Sequence, residues 1–245
     1  MNVYLFMGTH LPELQACLGQ LAAGEAGPET ARVHVPEGLP WPAPDAGAYQ
    51  LVRYTPAACE WAFAPGEGPA AFVVVDPREP PVPQLERLAG ALKGAGLEPA
   101  KVLTCVDCKA AEDSPQLRAW LEACIYYSDA VLLGNRAAAA KGFVREFQKH
   151  HEKLCYPCLF LLLKGPGLVE DPLEVLFPDT RRLSQLFDLP EAESVPAADV
   201  HIDASCDLDM EEPETDPYRH GLPGAEPPHA VPDAAPWIVR GPGSA

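Results

Sequence analysis

The stretch AAFVVVD at residues 70–76 decides how this sequence is interpreted. Six apolar residues follow one another in it without polar alternation, which is typical of a strand that is buried on both faces of a sheet. The same pattern returns in KVLTCVD at 101–107, in AVLLGN at 130–135 and in PCLFLLLKG at 157–165. The chain therefore repeats one kind of buried strand.

Segments with helical periodicity separate these strands. In residues 82–97, leucines 85, 88 and 92 fall on one helix face, and residues 114–127 and 137–153 are likewise predicted to be helical. Buried strands that alternate with amphipathic helices indicate a mostly parallel sheet covered on both faces. The predicted fold class is α/β, doubly wound.

The start of the chain fits the same plan. Residues 3–7 form a short apolar run that ends at Gly8, and leucines 11, 14, 18 and 21 then recur at helical spacing. Residues 32–35 and 49–54 are predicted to be minor strands in a proline-rich stretch. Residues 173–177 are predicted to be a short strand or turn, and residues 180–187 a last helix.

Composition divides the chain in two. Its 245 residues include 29 prolines and carry a formal net charge of −17, and residues 190–245 hold twelve acidic side chains against two basic ones. We expect a folded domain over residues 1–189 and an acidic, proline-rich, disordered tail over 190–245, in which PWIVR at 236–240 is an apolar patch that could dock. The acidity disfavours nucleic acid and anionic membranes as partners.

The first residues, MNVYLFMG, lack the basic and long apolar regions of a signal peptide, and no apolar run approaches the length of a membrane span. These observations predict a cytoplasmic protein. Its eight cysteines are then expected to be free thiols, metal ligands or a redox pair and not a disulfide framework.

The turn after the first strand reads GTHLPELQAC at residues 8–17. A phosphate-binding turn needs glycines, a lysine and a magnesium-binding hydroxyl. With Gly8 as the first glycine of the loop, Leu11 and Glu13 stand where further glycines belong, Leu14 stands at the lysine and Gln15 at the hydroxyl. Pro12 also removes an amide donor. We expect no tight nucleotide binding by this route.

The order of the remaining segments resembles the CobW/UreG/HypB class of P-loop GTPases, and above all the CobW-like metallochaperones. The resemblance covers residues 1–180 in order and spacing, and it lies in four segments: YTPAACEW at 54–61, FVVVDPREPPVP at 72–83, VLTCVDCKA at 102–110 and SDAVLLGNRAAA at 128–139. It implies a P-loop NTPase-like fold with degenerate motifs.

Carried over residue by residue, the resemblance assigns family positions to a few side chains. Cys59 corresponds to one of three family cysteines, Asp76 to the acidic residue that ends a strand, and Asp107 to the aspartate of the VVDA segment. Asn135 and Arg136 correspond to the Asn-Lys of the NKxD guanine motif, whose aspartate is replaced by alanine. Asp76, Asp107 and Asn135 could line a weakened ligand crevice, or they could cap helices and turns.

Two CxxC pairs, Cys105 with Cys108 and Cys155 with Cys158, have the spacing of half a zinc site each. In the predicted sheet they fall at opposite ends of parallel strands, which separates them by about 20 Å, the length of a six-residue strand. Each pair could still bind metal alone, complete a site with His201 and Cys206, or act as a redox pair. The alternative is that these cysteines are structural thiols.

Three functional hypotheses follow. The first is a non-catalytic CobW-like pseudo-GTPase that binds another protein or a metal ion, with zinc as the possible metal. The second is an active GTP-dependent metallochaperone in which Lys109 or Lys141 replaces the missing lysine. The third is a zinc-binding or thiol-redox module that uses one CxxC pair.

Overall fold

The computed structural model describes residues 1–26, 31–41, 49–56, 70–165, 167–176, 181–188, 216–219 and 230–240. The strands in these residues are β1 Asn2–Gly8, β2 Arg32–Pro36, β3 Gln50–Tyr54, β4 Ala70–Val74, β5 Pro99–Asp107, β6 Ala130–Gly134 and β7 Leu159–Leu162. The helices are α1 Leu11–Ala26, α2 Pro81–Gly94, α3 Cys108–Asp113, α4 Pro115–Tyr126, α5 Phe143–Lys153 and α6 Pro172–Leu176.

The seven described strands form one sheet in the order β3-β2-β4-β1-β5-β6-β7, and every pair of neighbours is parallel. One core cluster joins the sheet to α1 and α6, and a second joins the opposite face to α2, α3, α4 and α5. The doubly wound α/β fold predicted from the buried strands is therefore confirmed.

The connection after β1 runs towards β2 on one face of the sheet, whereas the connection after β5 runs towards β6 on the other. The chain therefore leaves β1 and β5 towards opposite sides of the sheet, and the switch point lies between the carboxyl ends of these two strands, where Gly8 is the register partner of Cys105. Doubly wound proteins bind ligands at such a point, because the loops there diverge and leave a crevice.

Three predictions about the later elements need correction. Residues 172–176 form α6 and not a strand or turn, because Asp171 accepts a hydrogen bond from the Leu173 amide and Pro172 has the backbone angle that a helix start requires. Residues 181–188 contain no helix, since the Ser184 hydroxyl binds the Leu186 amide and so competes with helical bonding. The helix predicted from residue 137 begins at Phe143, after a 3-10 turn at Arg136–Ala138.

Most of the predicted tail lies outside the described residues. Two short pieces of it, 216–219 and 230–240, are described and pack on the sheet domain. Asp216 accepts hydrogen bonds from the Tyr127 hydroxyl at 3.0 and 3.1 Å, and Ala234 is fully buried. Within the described part of the chain, no helix has the length and apolar character of a membrane span.

Candidate functional site

The turn between β1 and α1 holds its glycine for reasons of packing. A Cβ added at Gly8 would stand 3.0 Å from the Cys105 carbonyl oxygen and 3.1 Å from the Cys105 Cβ, so β1 and β5 approach too closely here for a side chain. Thr9, the next residue, is buried. The one family-like feature of this turn is therefore explained by the close approach of two strands.

The amide groups at the start of α1 already have partners. The Leu11 amide donates to the carbonyl oxygen of Val239 at 3.1 Å, and the Leu14 amide donates to the His10 carbonyl oxygen at 3.0 Å. The Glu13 amide donates to Nδ1 of His10 at 3.2 Å, and Pro12 has no amide hydrogen. The helix start thus offers no open group of amides of the kind that cradles a phosphate.

The side chain of Glu13 fills the space beside this turn. Its carboxylate accepts a hydrogen bond from the Asn135 amide at 3.2 Å, and the residue is 6% exposed. A Cβ at Gly134 would overlap this carboxylate, and a Cβ at Gly167 would stand 2.9 Å from the Glu13 Cα. Two glycines that lie far away in the sequence thus make room for Glu13.

Burial raises the pKa of the Glu13 carboxyl, and the neighbouring Asp107 raises it further, while His10 and the Asn135 amide act in the opposite direction. The net result is a carboxyl that holds its proton more readily than one in water. A phosphate group at this turn would meet the carboxyl groups of Glu13 and Asp107, where a phosphate-binding turn has a lysine.

Asp107 and Asn135 lie beside Glu13 and are bonded to each other. The Asn135 side-chain amide donates to Asp107 at 3.0 Å, and the same Asp107 oxygen accepts from the amides of Lys109 and Ala110 at 2.9 and 3.0 Å. Asp107 therefore caps the start of α3. Asn135 has a left-handed backbone with a φ of 46°, which asparagine tolerates better than most residues.

Asp76 takes part in a separate set of contacts. Arg78 donates to both of its carboxylate oxygens from Nε, at 2.9 and 3.1 Å, and from Nη2 at 2.6 Å. Gln84 brackets the backbone of the same residue, since its side chain accepts from the Asp76 amide and donates to the Asp76 carbonyl. These hydrogen bonds commit Asp76 to the turn that follows β4.

Leu14 and Gln15, which stand at the lysine and hydroxyl positions of a phosphate-binding turn, point away from the crevice. Leu14 is fully buried in the core cluster of α1, and the Gln15 side-chain amide donates to the Tyr49 hydroxyl at 3.5 Å. The structure thus brings Gly8, Glu13, Asp107 and Asn135 to one end of the sheet and leaves Leu14 in the core.

A cavity of about 520 Å³ opens next to Glu13, beyond the ends of β6 and β7. Among the described residues, its lining includes Glu13, Asn135, Arg136, Ala137, Leu163 and Gly165. The Arg136 guanidinium donates to the Leu163 carbonyl at 3.0 Å and so forms part of the cavity wall. The described part of the lining thus combines a basic and an acidic side chain with apolar surface.

The cysteines of the CxxC pairs lie at opposite ends of the sheet, as the strand directions imply. Burial raises the pKa of the Cys108 thiol to about 12 and that of the Cys158 thiol to about 12, whereas Cys155 is exposed. The hydrogen bond with the Cys17 thiol and the burial of Cys105 itself raise the pKa of the Cys105 thiol. These environments disfavour the thiolate, which is the form that binds metal.

No group of three or more histidine, cysteine, aspartate or glutamate side chains with the arrangement of a metal site occurs among the described residues. Cys59, His201 and Cys206 lie outside the described residues. The zinc hypothesis therefore has no assembled ligand set in the described ranges, and it stays a prediction for the remaining cysteines.

Sequence reasoning missed four residues that take part in this site: His10, Gly134, Gly167 and Val239. The glycines carry no side chain that could reveal a contact with Glu13, and Val239 contributes backbone groups only. The apolar patch PWIVR was the single sequence signal for the contact of Val239 with the turn.

The strand order and the position of this site define a doubly wound α/β domain whose first turn is closed by groups of the chain itself. Among solved structures, the Zn(II)-bound YjiA GTPase from E. coli is similar, with a TM-score of 0.45 and 14% sequence identity. The match covers 72% of this chain and 61% of that protein, so the chain spans about three fifths of its length. No protein-family model and no curated protein sequence matches.

Proposed function

We propose that this chain is a non-catalytic, CobW-like pseudo-GTPase whose retained fold binds another protein. The observation that carries the proposal is the buried Glu13 carboxylate, which lies at the first turn, against Gly134 and the Asn135 amide. The fold keeps the crevice of a nucleotide-binding protein, while the residues in the crevice bind one another.

Electrostatics and hydrogen bonding both support this proposal. A nucleoside triphosphate needs amide donors and a cation at the first turn. Here the Leu11 amide is bonded to Val239, Pro12 has no amide hydrogen, and the carboxyl groups of Glu13 and Asp107 stand close by. Adding phosphates would bring like charges together and would break the existing hydrogen bonds.

Isothermal titration of the full chain with GTP, GDP and ATP in the presence of magnesium tests the proposal. We expect no heat of binding in the micromolar range. A thermal melt checks the result independently, because a ligand at 100 times its Kd adds about 2.7 kcal/mol to the free energy of unfolding. That gain would raise Tm by roughly 5–10 °C in a domain of this size. Micromolar binding of any of the three nucleotides would overturn the proposal.

The alternative of an active GTPase requires a lysine at the phosphates. Lys109 is a poor candidate, since its ammonium is paired with Glu112 at 3.2 Å and with Asp113 at 2.7 Å along α3. Lys141 is exposed after the 3-10 turn. If this alternative held, Lys109→Ala or Lys141→Ala would abolish GTP turnover, which a phosphate-release assay measures.

The alternative that the pseudo-GTPase binds a metal ion is tested separately from nucleotide binding. Elemental analysis of the purified chain reports bound zinc, and thiol titration with and without reductant reports oxidised pairs. One equivalent of zinc per chain, lost in a Cys155→Ser or Cys59→Ser variant, would favour a metal-binding module over a protein-binding one.

A further inference from the structure

Residues 230–240, here called the strap, cross the carboxyl edge of the sheet. At one end the Ala234 amide donates to the Pro77 carbonyl at 2.8 Å, in the loop after β4. At the other end Val239 forms a parallel bridge with His10: its amide donates to the Thr9 carbonyl at 2.9 Å, and its carbonyl accepts from the Leu11 amide at 3.1 Å. The strap is therefore held at two neighbouring strand ends.

The side chains of the strap pack on both core clusters. Ala234 is fully buried in the cluster on the α2 and α4 face, and Trp237 packs against that cluster. Ile238 packs against the cluster on the α1 face. The strap thus spans the boundary between the two faces of the sheet, above the ends of β1 and β4.

The surface under the strap has the chemistry of a site for an extended peptide. It offers the backbone carbonyls of Thr9 and Pro77, the backbone amide of Leu11 and apolar contacts on both sides. Main-chain bonds of this kind supply affinity, and the pockets for alternate side chains supply specificity. The Leu11 amide belongs to the start of a 16-residue helix, where the partial positive charge favours a carbonyl oxygen.

The buried Glu13 carboxyl narrows the class of partner further. A phosphate or carboxylate at the Leu11 amide would lie near a second acidic group, whereas the neutral carbonyl of a peptide avoids that repulsion. The chain's own PWIVR segment shows which ligand is accepted: an extended backbone with apolar side chains.

We propose that the strap is an internal occupant of a peptide-docking groove and that a partner protein binds by inserting an extended apolar segment in its place. This inference rests on the proposed protein-binding function and names the partner class for the same crevice. Because the strap is tethered, its effective concentration is of the order of millimolar, so a free segment competes poorly until the strap is released.

A labelled peptide with the sequence of residues 230–240 tests the proposal on the full chain. Ala234→Asp places a carboxylate in a fully buried site and should release the strap. We expect the peptide to bind this variant at least about tenfold more tightly than the parent chain, because the tethered competitor is gone. Arg240→Ala, at the exposed end of the strap, is the matched control and should behave like the parent.

Amide hydrogen exchange provides the second readout. In the Ala234→Asp variant the Leu11 amide should exchange at least about tenfold faster, and adding the peptide should restore its protection. A peptide that carries the Val239→Pro change lacks the donor to Thr9 and should neither bind nor protect. If the amides of β4 and β5 also lose protection, the variant has unfolded, and the milder Trp237→Ala replaces it.

The proposal is overturned if the peptide binds the parent and the released variant equally, if it binds neither although the Leu11 amide exchanges faster, or if the Val239→Pro peptide binds as well as the parent peptide. It is also overturned if the Leu11 amide stays protected in both strap variants. These readouts do not involve nucleotide, so their outcome is distinct from that of the titration with GTP, GDP and ATP.

Discussion

The carboxylate of Glu13 lies directly against the Cα of Gly134, so that a Cβ added to this glycine would overlap Oε2 and stand 2.9 Å from Cδ. The two residues are 121 positions apart in the sequence. The buried Glu13 side chain therefore requires a glycine at position 134.

Gly134→Ala should lower the free energy of unfolding by about 1–3 kcal/mol, the usual cost of overpacking a dense site. In a Glu13→Ala background the same change should cost less, because the clashing carboxylate is gone. Denaturant unfolding of the two single variants and the double variant measures the coupling. Gly90→Ala, in α2 with no atom within 4 Å of the added Cβ, is the control and should stabilise by up to about 1 kcal/mol. Strictly additive effects at 134 and 13 would contradict the contact.

Glu13→Gln should change how stability depends on pH. The pKa of Glu13 is raised in the folded state, so the folded chain binds its proton more tightly than the unfolded chain. The parent therefore loses stability as the pH rises from the unfolded pKa, about 4.3, through the higher folded pKa. The glutamine variant lacks this loss, and its stability relative to the parent should grow between pH 4 and neutral pH.

Unfolding midpoints measured across this pH range test that prediction. Glu152→Gln, at an exposed position of α5, is the matched control for removing one negative charge. A difference between Glu13→Gln and the parent that stays constant with pH would show that the acid titrates as it does in water.

Arg182→Ala should be strongly destabilising. Arg182 Nη1 lies 3.0 Å from an Asp129 oxygen, and both side chains are mostly buried, at 13% and 6% exposure. Burial raises the pKa of Asp129, and Arg182 partly offsets this effect. Removing the arginine leaves a buried carboxylate without its cation, which costs about 3–5 kcal/mol.

Calorimetric or denaturant unfolding of Arg182→Ala measures this cost. Arg181→Ala removes the exposed neighbouring arginine and should stay within about 0.5 kcal/mol of the parent. An equal effect of the two variants would mean that the ion pair with Asp129 does not hold residues 181–188 on the domain.

Cys155 should be the fastest-reacting thiol among the described cysteines. It is exposed, whereas Cys108 and Cys158 are buried and have pKa values raised to about 12. Because the thiolate is the reactive form, the buried thiols should react with an aromatic disulfide reagent only as the chain opens. Cys155→Ser should remove one equivalent from the fast phase, and Cys158→Ser should remove none. A fast phase that is the same in both variants would contradict this assignment.

The fold could be predicted because its signals are local. The apolar runs of β4, β5 and β6 and the leucine spacing of α1 and α2 each lie within one short window of sequence. The prediction of a strand or turn at residues 173–177 was wrong, because the helix at 172–176 depends on one capping aspartate and on burial of Val175 and Leu176 against α1. A five-residue segment offers too little periodicity to reveal that.

The candidate site could be predicted only in part. The position of Asp107 and Asn135 at the carboxyl edge follows from the strand directions, and the damaged phosphate turn is visible in the sequence itself. The groups that fill the turn cannot be recognised in the sequence, because Gly134 and Gly167 act by lacking a side chain and Val239 acts through its backbone. Backbone contacts between distant segments leave no pattern in residue types.

The hydrogen bonds between Val239 and the Thr9–Leu11 turn also set an order of events during synthesis. The amino-terminal strand and the helix after it are made first, whereas their last partner is made some 230 residues later. A growing chain consequently exposes the free Leu11 amide and the apolar edge until translation has passed residue 239. If the strap covers a docking groove as proposed above, that groove is open in the nascent protein during this interval, and a chaperone or partner could bind there before the strap closes it.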